Sequence, residues 1–220
     1  MSHWVSLQTP SGAISGWRAD PAIPGHGALV VVQEIFGVNS HIRSVVDRLA
    51  AHGFTAIAPA LFDHFEHHVE LGYDEAGISR GRTLVEQLGF DRAVEDVHAV
   101  QQMLQPEGKV GVLGFCWGGT VAYLSWARLR LPAVSYYGAR TLPFLAHERS
   151  SAPLMLHFGE QDPMLPPEAI AAHREALPDA NIHTWPAGHG FNCDQRADYN
   201  AEVAAEAMQR SLAFLGTWLR

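Results

Sequence analysis

The sequence reads Lys109-Val110-Gly111-Val112-Leu113 and continues as Gly114-Phe115-Cys116-Trp117-Gly118-Gly119. The first part is a short apolar run that is typical of a buried strand, and a helical pattern starts at Trp117. A glycine-rich turn between a strand and a helix is the context of the G-x-S-x-G nucleophile motif, here with cysteine in place of serine. Such a turn lifts the Cys116 side chain clear of the sheet. It also presents backbone N–H groups at the start of a helix, where the dipole favours a thiolate or an oxyanion. We interpret Cys116 as a nucleophile; the alternative is a buried, inert cysteine.

Apolar runs alternate with helical patterns on both sides of this stretch. Strands are predicted at 28–32, 54–58, 109–113, 133–137, 154–158 and 181–185, and helices at 41–52, 90–105, 117–128, 167–176 and 199–219. Residues 60–80 are polar and irregular, and we expect a loop or lid there. The alternation predicts an α/β fold with a mainly parallel, twisted sheet and helices on both faces, and the length suits one domain over residues 1–220. Ligands of such sheets bind beyond the carboxyl ends of the strands.

Composition excludes several classes of function. The net charge is −8 and no basic run occurs, which argues against nucleic acid and anionic membranes as partners. The segment Met1–Ser6 has no signal-peptide pattern, and no apolar run approaches the roughly 18–20 residues that span a bilayer. Two cysteines do not make a disulfide framework. We expect a cytoplasmic protein without a cofactor, and a monomer, because no coiled coil or swapped arm is evident.

A nucleophile needs a base, and the base needs an acid that orients it. In proteins with this turn motif the chain order is nucleophile, acid, histidine. Asp162 follows the strand predicted at 154–158, and His189 follows the one at 181–185 between two glycines. Glu160 is the competing acid, and an ordinary Asp-Pro turn is the alternative reading of Asp162. Order and placement after strands predict a triad of Cys116, Asp162 and His189.

The stretch Gln33-Glu34-Ile35-Phe36-Gly37 follows the strand predicted at 28–32. In this architecture the loop after that early strand supplies one oxyanion donor, and the residue after the nucleophile supplies the other. The backbone N–H groups of Ile35 and Trp117 are therefore the candidate donors. Glu34 is unusual because a carboxylate at a strand end faces the site; the alternative is a solvated or salt-bridged glutamate.

Taken together, these segments resemble the dienelactone hydrolase (carboxymethylenebutenolidase) family of the α/β-hydrolase superfamily. The resemblance extends over essentially the whole chain, and the cysteine turn together with the Gln-Glu-Ile-Phe-Gly segment is quite specific to this family. The matching stretches are 33–37, 114–119, 136–138 (Tyr-Tyr-Gly), 159–162 (Gly-Glu-Gln-Asp) and 188–191 (Gly-His-Gly-Phe).

The resemblance implies an enzyme, a carboxylic ester hydrolase that cleaves a small lactone or ester through a thioester acyl-enzyme. Cys116 is then the nucleophile, His189 the base and Asp162 its orienting acid. The glutamate of the family falls on Glu34, which is expected to contact the resting thiol and to help activate it when substrate binds.

The resemblance also implies a substrate-binding arginine, which falls on Arg80, with Arg82 as the alternative. Phe36, Tyr137 and Phe191 are the aromatic residues expected at the substrate.

The sequence departs from the family pattern at positions that recognise substrate. A second family arginine is replaced by Cys193, with Arg196 nearby, and Leu84 and Gln87 stand where aromatic residues are expected. These departures leave the physiological substrate open between dienelactone and a broader range of small esters.

Two further features of the sequence suggest other functions. Residues 63–68 (Asp-His-Phe-Glu-His-His) crowd their potential ligands into a polar stretch without a helical pattern, unlike a zinc motif on a helix, so we expect a solvated segment and no metal. Cys193 could approach Cys116, which leaves a redox sensor as an alternative function. A hydrolase-like binding protein without turnover is another alternative, although an intact triad argues against it.

Overall fold

The computed structural model describes residues 2–23 and 25–220. Met1, part of the segment without a signal-peptide pattern, and Pro24 lie outside the described residues. Within this part of the chain the strands are β1 (Ser2–Thr9), β2 (Gly12–Ala19), β3 (Ala28–Val32), β4 (Thr55–Pro59), β5 (Val110–Phe115), β6 (Ala133–Tyr136), β7 (Leu154–Gly159) and β8 (Asn181–Trp185). They form one sheet in the order β1-β2-β4-β3-β5-β6-β7-β8. Every pairing from β4 to β8 is parallel, whereas β2 pairs antiparallel with β1 and β4. The predicted, mainly parallel α/β sheet is confirmed.

Helices cover both faces of this sheet. They are α1 (Ser40–Ala51), α2 (Glu75–Leu104), α3 (Trp117–Leu129), α4 (Pro167–Ala176) and α5 (Ala201–Trp218). Side chains of β3 alternate between two cores: Val30 packs with α2 and α3, and Val31 packs with α1 and α5. In the described residues no helix is both long and apolar enough to cross a membrane.

The N-terminal hairpin was missed by the sequence analysis. β1 is an edge strand with mostly exposed or half-buried side chains, and Leu7 is its one fully buried residue. A strand that buries so little apolar surface lacks the long apolar run by which the central strands were recognised.

The prediction of a loop throughout residues 60–80 was wrong at its C-terminal end. Helix α2 begins at Glu75, where the Asp74 side chain accepts a hydrogen bond of 2.8 Å from the backbone N–H of Gly77. Gly77 and Gly81 weaken the helical pattern, because glycine is a poor helix former. Gly81 nevertheless suits its place, since a methyl group there would lie 2.3 Å from the carbonyl oxygen of Ile35. A close contact between α2 and the loop after β3 explains this glycine.

Helix α3 starts almost in contact with the end of β3. A methyl group added to Gly118 would lie 2.3 Å from the carbonyl oxygen of Gln33 and 2.5 Å from that of Val32. Both neighbours are backbone atoms of buried residues and have little room to move. The absence of a side chain at residue 118 therefore lets the first turn of α3 approach the sheet.

We predict that Gly118→Ala destabilises the protein by about 1–3 kcal/mol, the usual cost of overpacking a rigid interior. Gly25→Ala is the matched control, because a methyl group there meets no described atom within 4 Å. Urea unfolding at pH 7 measures both variants. Equal unfolding midpoints for the two would contradict the close packing at Gly118.

A buried hydrogen-bond network holds α5 against the sheet. The indole N–H of Trp185 donates to Nδ1 of His157 at 3.1 Å, so the ring proton of a neutral His157 sits on Nε2, 3.0 Å from Ser211 Oγ. The hydroxyl of Tyr136 lies 2.7 Å from the same Ser211 oxygen. Burial, together with the positive charge of nearby groups, lowers the pKa of His157 well below its ordinary value. The network thus requires the neutral ring.

We predict that stability falls as the pH drops below about 6.5, the ordinary histidine pKa, because the unfolded chain then binds a proton that folded His157 refuses. The stabilisation by neutral His157 is fully present above that pH. Below it, the free energy of unfolding falls by at most about 1.4 kcal/mol per pH unit. His157→Gln keeps a donor and an acceptor but cannot titrate. Its unfolding free energy should depend less steeply on pH between 7 and 5 in urea titrations. A slope identical to that of the unmodified protein would refute this role of His157.

Candidate active site

The turn between β5 and α3 holds Cys116 in a strained conformation. Its φ is 54° and its ψ is −117°, in a region that non-glycine residues rarely adopt, at a cost of about 1–3 kcal/mol. The backbone N–H of Cys116 donates to the carbonyl oxygen of Tyr136 at 3.0 Å, and helix α3 starts at the next residue. The side chain is half-buried, so its sulfur stays accessible at the helix start.

The structure brings the three predicted triad residues together. Nε2 of His189 lies 3.1 Å from Sγ of Cys116, and Nδ1 of the same ring lies 2.6 Å from Oδ2 of Asp162. The other carboxylate oxygen of Asp162 accepts a hydrogen bond of 2.8 Å from the backbone N–H of Met164, which fixes its orientation. Glu160, the competing acid, is exposed. Asp162 is therefore the acid that contacts the imidazole.

The charges around His189 favour its protonated form. Burial lowers the pKa of His189, but the sulfur of Cys116 and the carboxylate of Asp162 outweigh burial and raise that pKa to about 10. An imidazolium beside the sulfur stabilises a thiolate, the reactive form of cysteine. The arrangement can thus hold a nucleophile and a proton donor side by side.

The residues that carry the two predicted oxyanion donors line the same cavity as Cys116. Ile35 belongs to the loop after β3, and Trp117 is the first residue of α3. Neither backbone N–H is hydrogen-bonded within the part of the chain that the structure describes. Both donors are consequently free to bind a negatively charged oxygen.

Among the described residues Glu34 makes no hydrogen bond to the Cys116 thiol, unlike the expectation from the family resemblance. Its buried carboxylate accepts hydrogen bonds from the Tyr73 hydroxyl at 3.1 Å and from the Arg196 guanidinium at 3.2 Å. The described partner of the Cys116 thiol is His189. In this structure Glu34 is therefore a salt-bridged glutamate, which was the alternative interpretation from the sequence.

The cavity next to Cys116 has a volume of about 110 Å³ and an apolar wall with three arginines. Its lining residues are Ile35, Phe36, Ile78, Arg82, Cys116, Trp117, Ala139, Arg140, Met164, His189 and Arg196.

Some predicted substrate-binding residues lie elsewhere. Arg80 lies outside this wall and pairs with Glu66 on the surface at 2.5 Å, so the alternative Arg82 is the one that reaches the cavity. Phe36 lines the cavity as expected. Tyr137 and Phe191 are fully buried behind it, where Tyr137 packs edge-on against the His189 ring with centroids 5.2 Å apart. Tyr137 supports the histidine, Phe191 packs against Tyr137, and neither residue lines the cavity.

Sequence reasoning missed Ile78, Arg140 and Met164 on the cavity wall and Tyr73 beside Glu34. Arg140 carried a usable signal, because it follows β6 at the carboxyl edge of the sheet where ligands bind. Ile78 carried none, because it lies in a stretch without a helical pattern.

Comparison with known proteins identifies the family of the chain. The dienelactone hydrolase family model matches residues 14–219. A Synechocystis sp. protein provisionally named carboxymethylenebutenolidase is 35% identical, with 98% of this chain and 96% of the relative covered. Carboxymethylenebutenolidase of Pseudomonas putida is 31% identical over the same shares of the two chains. The crystal structure of a provisionally named dienelactone hydrolase from Klebsiella pneumoniae superposes with a TM-score of 0.84, at 28% identity and 98% coverage of each chain. The chain therefore belongs to the dienelactone hydrolase family and is a hydrolase with this α/β fold.

Proposed function

We propose that this protein hydrolyses a small ester or lactone through a thioester formed on Cys116. The observation that carries the proposal is the chain of short contacts from Cys116 to His189 (3.1 Å) and from His189 to Asp162 (2.6 Å) beside a largely apolar cavity. This arrangement supplies a nucleophile, a base and an orienting acid in the geometry that acyl transfer requires.

In the first step the Cys116 thiolate attacks the carbonyl carbon and forms a C–S bond. The carbonyl oxygen becomes an oxyanion that the N–H groups of Ile35 and Trp117 stabilise; losing one such donor typically costs about 100–1000-fold in rate. The tetrahedral intermediate then breaks its C–O bond. His189 gives its proton to the leaving alkoxide, and a thioester remains on Cys116.

In the second step His189 is neutral and acts as a base. It removes a proton from water, and the resulting hydroxide attacks the thioester carbonyl within the same oxyanion site. Asp162 holds Nδ1 protonated, so Nε2 is the atom that accepts the proton. Breaking the C–S bond releases the acid and restores the thiolate beside the imidazolium.

The arginines on the cavity wall support a substrate that carries a carboxylate. Because the chain has a net charge of −8, an anion needs local cations to bind. Arg82 and Arg140 line the cavity, and Arg196 lines it while paired with Glu34. A bound carboxylate can compete with Glu34 for Arg196, and we propose that this exchange releases Glu34 towards the thiol. The relatives named carboxymethylenebutenolidase make dienelactones the first substrate class to test.

The redox-sensor alternative is not favoured. Cys193 is fully buried, and burial together with the nearby Glu34 charge raises the pKa of its thiol to about 11. A buried thiol that resists ionisation reacts slowly with peroxide or with a disulfide.

We predict that Cys116→Ala lowers kcat/KM for p-nitrophenyl acetate by at least about 1000-fold, because loss of the nucleophile leaves only oxyanion binding. Cys116→Ser should keep part of the activity, since the same base can activate a hydroxyl. Far-ultraviolet circular dichroism checks that each variant folds. Turnover by a folded Cys116→Ala protein at the original rate would exclude Cys116 as the nucleophile.

We predict that Arg82→Gln raises KM for a carboxylate-bearing lactone by about 10–100-fold, the usual effect of losing a charged hydrogen bond of about 1.5–3 kcal/mol. KM for a neutral aryl ester should change little. Arg80→Gln is the matched control, because Arg80 binds Glu66 outside the cavity. Steady-state kinetics on both substrates gives the comparison. The assignment fails if Arg82→Gln weakens both substrates equally, or if Arg80→Gln has the selective effect.

A further inference from the structure

A second group of reactive side chains includes Glu34, the partner of Arg196. Donor atoms of Glu34, His41 and Cys193 all lie within 4.8 Å of one another. Glu34 comes from the loop after β3, His41 from the first turn of α1, and Cys193 from the segment after β8. Their exposed fractions are 0%, 1% and 0%. Three separate elements thus converge on one buried point with a carboxylate, an imidazole and a thiol.

The orientation of His41 is the second observation. Its Nδ1 faces the exposed carboxylate of Asp194 at 3.6 Å. Its Nε2 is buried and has no hydrogen-bond partner in the described structure. A buried polar atom without a partner is costly and calls for an explanation. Histidine ligands of metals commonly have this arrangement, with one nitrogen directed at a carboxylate and the other at the metal.

Packing alone does not explain the group. The His41 ring lies edge-on to Phe115 with centroids 5.9 Å apart, which accounts for its position but leaves Nε2 unpaired. Glu34 already accepts hydrogen bonds from Tyr73 and Arg196. A carboxylate offers about four lone-pair sites, so Glu34 can still bind a cation.

We propose that Glu34, His41 and Cys193 bind a zinc ion, with water as the fourth ligand. One sulfur, one nitrogen and one oxygen donor suit Zn²⁺, whose bonds to sulfur and nitrogen are about 2.3 and 2.0–2.1 Å. Donors around a tetrahedral zinc are then about 3.3–3.8 Å apart, so the three side chains need to close by roughly 1 Å. On binding, the Cys193 thiol gives up its proton to solvent, and His41 binds through an unprotonated ring nitrogen.

The proposed site shares Glu34 with the ion pair to Arg196. A divalent cation on Glu34 repels the guanidinium and weakens that pair. Metal binding therefore affects Arg196 on the cavity wall. The metal site itself does not depend on the proposed hydrolysis.

The test uses Co²⁺, which binds zinc sites and gives a near-ultraviolet charge-transfer band when a thiolate is a ligand. Cys116, His189 and Asp162 also offer sulfur, nitrogen and oxygen donors, so the titration is performed on Cys116→Ala. We expect one equivalent of Co²⁺ to produce the band and Zn²⁺ to abolish it by displacement. No thiolate band in the Cys116→Ala protein would overturn the proposal, whether or not Co²⁺ binds elsewhere.

Further variants in the Cys116→Ala background locate the metal. Cys193→Ala should remove the band, and His41→Gln should weaken Co²⁺ binding at least about 10-fold. Asp194→Asn, on an exposed residue, should weaken it by about 10–100-fold, the usual effect of a carboxylate behind a histidine ligand. Should Cys193→Ala fail to fold, the other two variants decide. A band that survives in folded Cys193→Ala, or affinity unchanged in both His41→Gln and Asp194→Asn, would contradict the assignment.

Discussion

The close approach of the first turn of α3 to the ends of the central strands is the constraint on which the site depends. Gly118 lies against the carbonyl groups of Val32 and Gln33, and the turn before it forces Cys116 to a φ of 54°. This geometry places the sulfur and the N–H of Trp117 at the carboxyl edge of the sheet. The folding energy of the sheet and helices thus maintains a strained residue that would otherwise relax.

Glu34 belongs both to the ion pair with Arg196 and to the proposed zinc site. It is fully buried at the end of β3, so its charge must be compensated, and Arg196 and Tyr73 do so here. Arg196 links it to the cavity, and its carboxylate also belongs to the group with His41 and Cys193. A single carboxylate therefore joins the cavity wall to the proposed zinc site. An arginine at position 193, where this chain has cysteine, would place a cation where the proposed metal binds.

The sequence was sufficient for the parallel sheet and for the positions of Cys116, Asp162 and His189, because buried strands are continuous apolar runs and catalytic groups follow strand ends. It was insufficient for α2 and the β1–β2 hairpin. Helix α2 contains glycines that only tertiary contact with Ile35 explains, and β1 buries too little to be recognised.

Arg80 was preferred to Arg82 because no motif anchors the register before residue 90. The contacts of Glu34 and His41 could not be predicted, since their partners lie far apart in the chain; the cytoplasmic location and monomeric state stay predictions.

The central claim is that Cys116 carries the acyl group during turnover. Its most direct test is intact-protein and peptide mass spectrometry of the His189→Asn variant, rapidly quenched after mixing with p-nitrophenyl acetate at high pH. High pH ionises the thiol, so the thioester can form without His189. Its hydrolysis should be slower than its formation, because the base that activates water is missing. We expect one acetyl group per chain, located on Cys116 and removed by hydroxylamine. Acetylation of a different residue, with Cys116 unmodified while p-nitrophenol is released, would contradict it.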